Sequence, residues 1–173
     1  MLYIQFPSCV KLLTGFIYSQ EQVYTDTKKI LQKKFGEIDF ESDCFSFRYT
    51  DYYAKEMGTA LFRRFVSFKK LIFPDDIVKL KLACIKIEKK FSLKDKRTIN
   101  IDPGYLNEAK LVLATTKDFC HRIYLGRGVY AEVTLCYRKD NFVDLDTTYP
   151  DYRTPEYKAI FLTMRNIYRS QIK

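Results

Sequence analysis

The order of strand-like and helix-like segments in the first hundred residues most constrains the fold. The apolar run 10–18 predicts a buried strand, and apolar residues at helical spacing predict a helix over 20–35. Ser19 and Gln22 have the spacing of a capping box, which would fix the start of this helix. Gly36 stands where a C-cap requires a positive φ. A strand followed by a capped helix therefore opens the chain.

A strand pair is predicted next. Apolar alternation changes parity within residues 38–49, which indicates a strand with a bulge near 42–44. Residues 61–72 predict its antiparallel partner, and 51–58 between them predict a loop or a single helical turn.

A second helix is predicted from Pro74 onward, because proline suits the first turn and the two following acids suit the helix dipole. Residues 98–101 predict a short strand after it. The order is β-α-β-β-α-β, that of a ferredoxin-like unit. The apolar stripe of the helix comprises Ile77, Leu80, Cys84, Ile87 and Phe91.

The C-terminal third predicts an extension of this unit. Asp102, Pro103 and Gly104 predict a turn, and the helix that ends the chain is predicted to be capped by Thr154. We therefore predict one α+β domain over 1–173, with a ferredoxin-like core, a C-terminal β-meander and a terminal helix. The remaining segments are a short buried helix over 105–114, a hairpin of strands 119–125 and 129–137, and a third strand over 142–145.

Cysteine usage and hydropathy limit the class of protein. The chain has five cysteines and no Cys-x-x-Cys pair, which argues against a disulfide framework and against a zinc site. Free thiols suit a reducing compartment, so we expect a cytoplasmic protein. No stretch approaches 18 apolar residues, so no membrane-spanning helix and no membrane partner is expected. We predict no metal site, and the sequence names no cofactor.

The positive charge is concentrated in one segment. The formal net charge is +9, and residues 61–97 contain twelve bases and four acids. On the predicted second helix, Lys79, Lys86 and Lys90 lie opposite the apolar stripe. Such a block attracts phosphate groups, but it is also typical of a solvated lysine face, which is the interpretation we favour here.

Several motifs in the second half resemble a known family. They are NIDPGYL (100–106), AKLVLATTKD (109–118), HRIYLG (121–126), YAEVTL (130–135) and YPDYRT (149–154), with shorter matches at 51–53, 56–58 and 64–68. Over about residues 10–170 the chain resembles the prokaryotic domain-of-unknown-function family 4416. The resemblance implies a cytoplasmic, single-domain protein. It implies no activity and no catalytic residues.

Polar residues around the predicted hairpin form the candidate site. With a turn at 126–128, Arg122 lies opposite Glu132, and such a cross-strand ion pair contributes about 0.2–1 kcal/mol. The pair is either structural or holds the guanidinium toward a ligand. His121, the only histidine, is either a core residue or an acid-base group. Lys117 adds a cation where the hairpin begins, and Asp102 ends a predicted strand.

We therefore assign His121, Glu132 and Asp102 as candidate acid-base groups in a pocket. Four further residues are assigned to ligand binding: Lys117, Arg122, Tyr124 and Arg153. The polar and aromatic loop 149–153 is the candidate lid, although aromatic packing under the last helix explains it equally well.

Three functions remain open at this point. The first is binding of a small anionic or phosphate-bearing ligand, and the second is a small-molecule enzyme that uses the pocket around His121 and Glu132. The third is an RNA-binding or protein-interaction module. Nucleic acid is not favoured, because the aromatic and Lys/Arg-Gly signature of RNA-recognition motifs is missing. No phosphate-binding P-loop, nucleophile elbow or His-Glu-x-x-His motif occurs.

Overall fold

The computed structural model describes residues 3–173 as a mixed α+β fold built on one large sheet. Neighbouring strands of this sheet pair antiparallel throughout residues 3–173. The α+β class predicted from the sequence is confirmed. In chain order the elements are β1 (Val10–Tyr18), α1 (Glu21–Phe35), β2 (Ile38–Glu41), β3 (Phe45–Phe47), α2 (Ala54–Met57), β4 (Leu61–Ile72), α3 (Ile77–Lys90), β5 (Ile99–Leu106), β6 (Lys110–Thr115), β7 (Ile123–Gly126), β8 (Val129–Arg138), β9 (Asn141–Asp144) and α4 (Pro155–Gln171).

The sheet has nine strands, in the order β2-β4-β1-β5-β6-β8-β7. In addition, β3 pairs with β4 and β9 pairs with β8. The sheet is therefore larger than the four strands of a β-α-β-β-α-β unit.

Helices cover both faces of the sheet. Leu12 and Phe16 of β1 belong to the hydrophobic cluster that includes α1 and α3. Their neighbour Leu13 belongs to the cluster that includes α4. Since successive side chains of a strand point to opposite faces, β1 lies in the middle of a three-layer arrangement with helices above and below.

The first half follows the sequence prediction closely. The strand over 10–18, the strand over 61–72 and the single helical turn before it are found where they are expected. The predicted capping box is wrong. The N-cap is Gln20 and makes no side-chain cap bond, and Glu21 instead lies near Tyr18 and Arg64.

The turn and the helix predicted over 102–114 are wrong. Pro103 and Gly104 lie inside β5, which continues to Leu106 and forms a hairpin with β6. Both faces of the sheet are covered here, so residues 111–114 are all buried and show no strand alternation. An apolar run of this kind does not distinguish a buried strand from a buried helix.

The predicted hairpin and the last cap are confirmed, with one shortened strand. β7 pairs with β8 in the expected register, Tyr124 opposite Tyr130, but it begins only at Ile123. Thr154 caps α4, and its hydroxyl accepts a hydrogen bond from Tyr157 N at 3.4 Å. Within residues 3–173, no helix is both long and apolar enough to cross a membrane.

Candidate functional site

A cavity of about 500 Å³ opens where strands β4, β5, β6 and β8 meet α3 and two loops. Aromatic side chains from 47–53 and from 149–152 form part of its wall. The rest of the wall combines charged side chains with apolar and uncharged polar ones from the sheet, from α3 and from neighbouring loops. A volume of this size suits a small-molecule ligand.

Arg63 of β4 provides a buried cation in the wall of this cavity. Its side chain is 2% exposed, and the guanidinium packs on the rings of Phe65 and Tyr152. Nη2 donates a hydrogen bond to Tyr152 Oη at 2.6 Å, whereas Nε is buried and has no hydrogen-bond partner among residues 3–173. The nearest oxygens of Asp151 and Asp102 lie 3.4 and 3.8 Å from the terminal nitrogens. The two carboxylates therefore compensate the positive charge of Arg63 from more than the length of an ideal charge-assisted hydrogen bond. The short hydrogen bond of the guanidinium goes to Tyr152.

Two buried residues of α3, Lys81 and Glu88, bring further charges to the cavity wall. Lys81 Nζ donates to Ile101 O at 3.1 Å and lies 3.4 Å from Asp102 Oδ1. Glu88, two turns further along α3, accepts a hydrogen bond from Ile101 N at 2.6 Å. Burial raises the pKa of Glu88 to about 7, although Lys81 acts in the opposite direction. The pKa of Glu88 is therefore shifted toward the neutral range by its burial.

Arg97 lines the cavity but is already paired. Its Nε and Nη2 donate to the two carboxylate oxygens of Glu56 at 2.7 and 2.9 Å. Its Nη1 donates to Asn100 Oδ1, and Asn100 Nδ2 donates in turn to Asp102 Oδ2. Because both forks of this guanidinium are occupied, Arg97 orients Asn100 and Asp102 and is not an open anion site.

Lys117 is an exposed cation in the wall of the cavity. Its ammonium nitrogen lies 3.7 Å from the centre of the Tyr52 ring, in a cation–π arrangement. The close approach of the Lys117 ammonium lowers the pKa of the Tyr52 hydroxyl. No carboxylate of the described residues lies within 4 Å of this ammonium.

Glu132 of β8 is a buried carboxylate in the cavity wall, and two side chains contact it. It is 4% exposed, and its Oε2 accepts from Arg122 Nε and from His121 Nε2, each at 2.8 Å. An ionised carboxylate only accepts hydrogen bonds, so a hydrogen bond here requires the His121 tautomer with a proton on Nε2. Arg122 Nη2 also donates to Tyr149 Oη at 2.6 Å, which links the hairpin to the loop 149–153.

The structure brings some of the predicted site residues together. Asp102, Lys117 and Glu132 line the cavity, and so does the loop predicted as a lid. His121 and Arg122 do not line it and bind Glu132 instead.

The other two predicted ligand-binding residues lie elsewhere. Tyr124 is exposed on the edge strand β7, where its hydroxyl accepts from Gly128 N. Arg153 donates to the carbonyl oxygens of Thr148 and Asp146, so it holds the backbone of the loop. Neither side chain lines the cavity.

Sequence reasoning missed Arg63 and the buried charges of α3. The sequence does contain a signal for the buried charges of α3. Lys81 and Glu88 lie three residues before and four residues after Cys84, which places them on the apolar stripe of the helix. A charged residue on a buried stripe indicates a polar cavity or an ion pair. Arg63 lies in an apolar strand next to another arginine, so its spacing gives no comparable signal.

The cavity wall carries charged groups of both signs. Among residues 3–173, no group of three His, Cys, Asp or Glu side chains is arranged to hold a metal ion. Arg63, Lys81 and Lys117 are cations, and Asp102, Glu132 and Asp151 are carboxylates, so a ligand here meets donors and acceptors.

A comparison with known protein families assigns the chain to one of them. The family described as "Domain of unknown function (DUF4416)" matches residues 8–168 of the 173. The chain belongs to this family. Every residue of the cavity wall lies within the part that matches the DUF4416 family. Searches of curated proteins and of solved structures find no match.

Proposed function

We propose that the protein binds a small anionic ligand, bearing a phosphate or a carboxylate, in the cavity beside Arg63. The observation that supports this best is the state of that guanidinium: it is buried, it lines the cavity and its Nε has no partner. Burying a charge costs free energy unless hydrogen bonds and an opposite charge compensate it. An anion would supply both.

The carboxylates near Arg63 do not take the place of an anionic ligand. Charge-assisted hydrogen bonds are about 2.7–2.9 Å long, and the oxygens of Asp151 and Asp102 are farther away. Burial also raises the pKa of Asp151, which weakens it as a counter-ion. A ligand oxygen in the cavity would therefore complete the coordination of the guanidinium.

Lys117 is the second cation of the proposed site. It is exposed, has no carboxylate within 4 Å among residues 3–173, and places its ammonium over the Tyr52 ring. Tyr52 and Lys117 would hold the outer part of the ligand while Arg63 holds the anionic group. Electrostatic attraction at this position would also speed association.

Calorimetric titration tests the proposal with inorganic phosphate, pyrophosphate and citrate as probes. We expect binding of at least one probe, and Lys117→Ala should weaken it about tenfold, which corresponds to the loss of one charge-assisted contact. Lys90→Ala removes a lysine that is also exposed but does not line the cavity, and should bind as the wild type does. Arg63→Lys keeps the charge but loses the fork and should also weaken binding. Equal affinities of wild type and Lys117→Ala would refute the proposal.

A second candidate function is acid–base catalysis by Glu132. Two donors converge on Oε2 of this buried carboxylate, and such an arrangement holds a general base in a fixed orientation. Incubation with mixed small metabolites, followed by mass spectrometry, would reveal turnover. Turnover that is lost in Glu132→Gln and kept in Lys90→Ala would favour catalysis, and the absence of turnover would favour binding alone.

We also propose that residues 10–106 form a ferredoxin-like unit within the larger sheet. The order β2-β4-β1-β5, with all pairs antiparallel, supports this, as does the hydrophobic cluster that α1 and α3 share. A cytoplasmic location is proposed from the cysteines, all five of which are free thiols.

A further inference from the structure

A second concave site lies on the other side of α3, between that helix and the end of α1. Its volume is about 710 Å³. We call it the basic groove and define it by its five cations: Lys34, Lys70, Lys79, Lys86 and Arg127. None of these residues lines the cavity beside Arg63, so the two sites are separate.

The charge of the basic groove is not compensated from within. Asp76 is the one carboxylate among its lining residues, and it pairs with Lys79 at 3.2 Å. In residues 3–173, the other four cations have no carboxylate within 4 Å. The groove therefore presents an excess of positive charge at one concave place, which attracts an anion.

The floor of the groove is apolar. Phe73 is 55% exposed there, and Ile72, Leu82 and Ala83 are half-buried. Leu80 and other residues of the core close the bottom. Apolar side chains that remain in contact with water gain free energy when an alkyl chain covers them.

We propose that the basic groove binds a single-chain anionic amphiphile, a molecule with an alkyl chain and a phosphate or carboxylate head. The chain lies along the apolar floor, and the lysines and Arg127 hold the head. Both halves of this ligand contribute, because apolar side chains and the five cations line the same groove. Inorganic phosphate therefore binds weakly, and so does an uncharged detergent.

The shape of the groove favours this ligand over nucleic acid. A nucleic-acid surface follows the phosphate backbone along an extended basic stripe. Here Lys79 and Lys86 face a concave site of small-molecule size, while Lys90 on the same helix lies outside it. Apolar floor residues such as Phe73 and Leu82 have no role in holding phosphates.

Calorimetric titration with dodecyl phosphate below its micellar concentration tests the proposal. We expect one molecule to bind per chain, with inorganic phosphate and dodecyl maltoside each at least about tenfold weaker. The double variant Lys34→Glu with Lys86→Glu should lose binding by a similar factor. Leu82→Ser should weaken dodecyl phosphate and leave the weak binding of inorganic phosphate unchanged.

The matched control is Lys90→Glu, because Lys90 and Lys34 both lie in the last turn of a helix. It should fold and bind dodecyl phosphate as the wild type does. Lys117→Ala should also leave this binding unchanged, which separates the groove from the cavity beside Arg63. Three results would overturn the proposal: no binding of dodecyl phosphate at low salt, equal binding of inorganic phosphate, or tighter binding of a short RNA with a steep salt dependence.

Discussion

Gly15 provides the space into which the Arg63 guanidinium extends. A Cβ atom on Gly15 would lie 3.3 Å from Arg63 Nη2 and 3.1 Å from Phe65 Cε1. Gly15 stands on β1 between Phe65 of β4 and Asp102 of β5. A guanidinium that starts on β4 can therefore pass over the central strand toward a carboxylate on the next one.

The first prediction concerns this glycine. Gly15→Ala should destabilise the fold by about 1–2 kcal/mol, because the ring of Phe65 and the guanidinium must each move by a few tenths of an ångström. Urea unfolding measures the loss. The same variant should weaken any anion bound beside Arg63, which titration with the tightest-binding probe would show. An unchanged unfolding midpoint together with unchanged affinity would contradict the proposed role of Gly15.

The cavity could be predicted from the sequence only in part. Asp102 and Lys117 were found because they lie at predicted strand ends, and Glu132 because the hairpin register places it opposite Arg122. Arg63 could not be found, since its position depends on the absence of a side chain at Gly15 on the neighbouring strand β1. Register between distant strands is a tertiary property that the local sequence does not contain.

The fold was predictable where local signals were strong. Alternation across 126–128 predicted the β7–β8 register and, with it, the contact between Arg122 and Glu132. In β5 and β6 the local signals pointed the other way. Pro103 and Gly104 are typical of a turn, but here they lie inside β5. The strand tolerates the proline because β6 pairs with β5 only from Gly104 onward, so no hydrogen bond to β6 is needed from Pro103.

The second prediction concerns the pair of Arg122 and Glu132. Arg122→Ala leaves a buried carboxylate with His121 as its remaining hydrogen-bond partner, and should cost about 2–4 kcal/mol. Adding Glu132→Gln to this variant should recover part of the loss, since the amide carries no charge to compensate. Chemical unfolding of the double-mutant cycle measures both effects.

The control for this cycle is an exposed ion pair. Lys158→Ala breaks the contact with Asp144 at the surface and should cost less than about 1 kcal/mol. If Arg122→Ala costs no more than Lys158→Ala, Arg122 does not compensate Glu132.

The third prediction concerns Gly104, where β5 and β6 come into close contact. A Cβ there would lie 2.5 Å from Val112 O and 2.7 Å from Leu113 Cδ2. Backbone must shift to admit it, so Gly104→Ala should cost more than Gly15→Ala, about 3 kcal/mol or more. Thermal unfolding of the two variants side by side gives the order. The reverse order would show that the β5–β6 pair can separate easily.

The last prediction concerns Glu88 and pH. Burial raises its pKa from 4.5 in the unfolded chain to about 7, and the charged groups that act on it are Lys81, Asp102 and Arg97. The folded protein therefore holds a proton that the unfolded chain has already released between these two values. Stability from this group is present below pH 4.5 and is lost as the pH rises through about 7, by up to about 3 kcal/mol.

Glu88→Gln removes this titration and keeps an oxygen that can accept from Ile101 N. The difference in unfolding free energy, variant minus wild type, should therefore become more positive between pH 5 and pH 8 by up to about 3 kcal/mol. Other titrating groups are shared by both proteins, so most of their contribution cancels in the difference. Urea unfolding at three pH values measures it. Two parallel curves would mean that Glu88 is ionised throughout this range, and that a cation such as Lys81 compensates its burial in full.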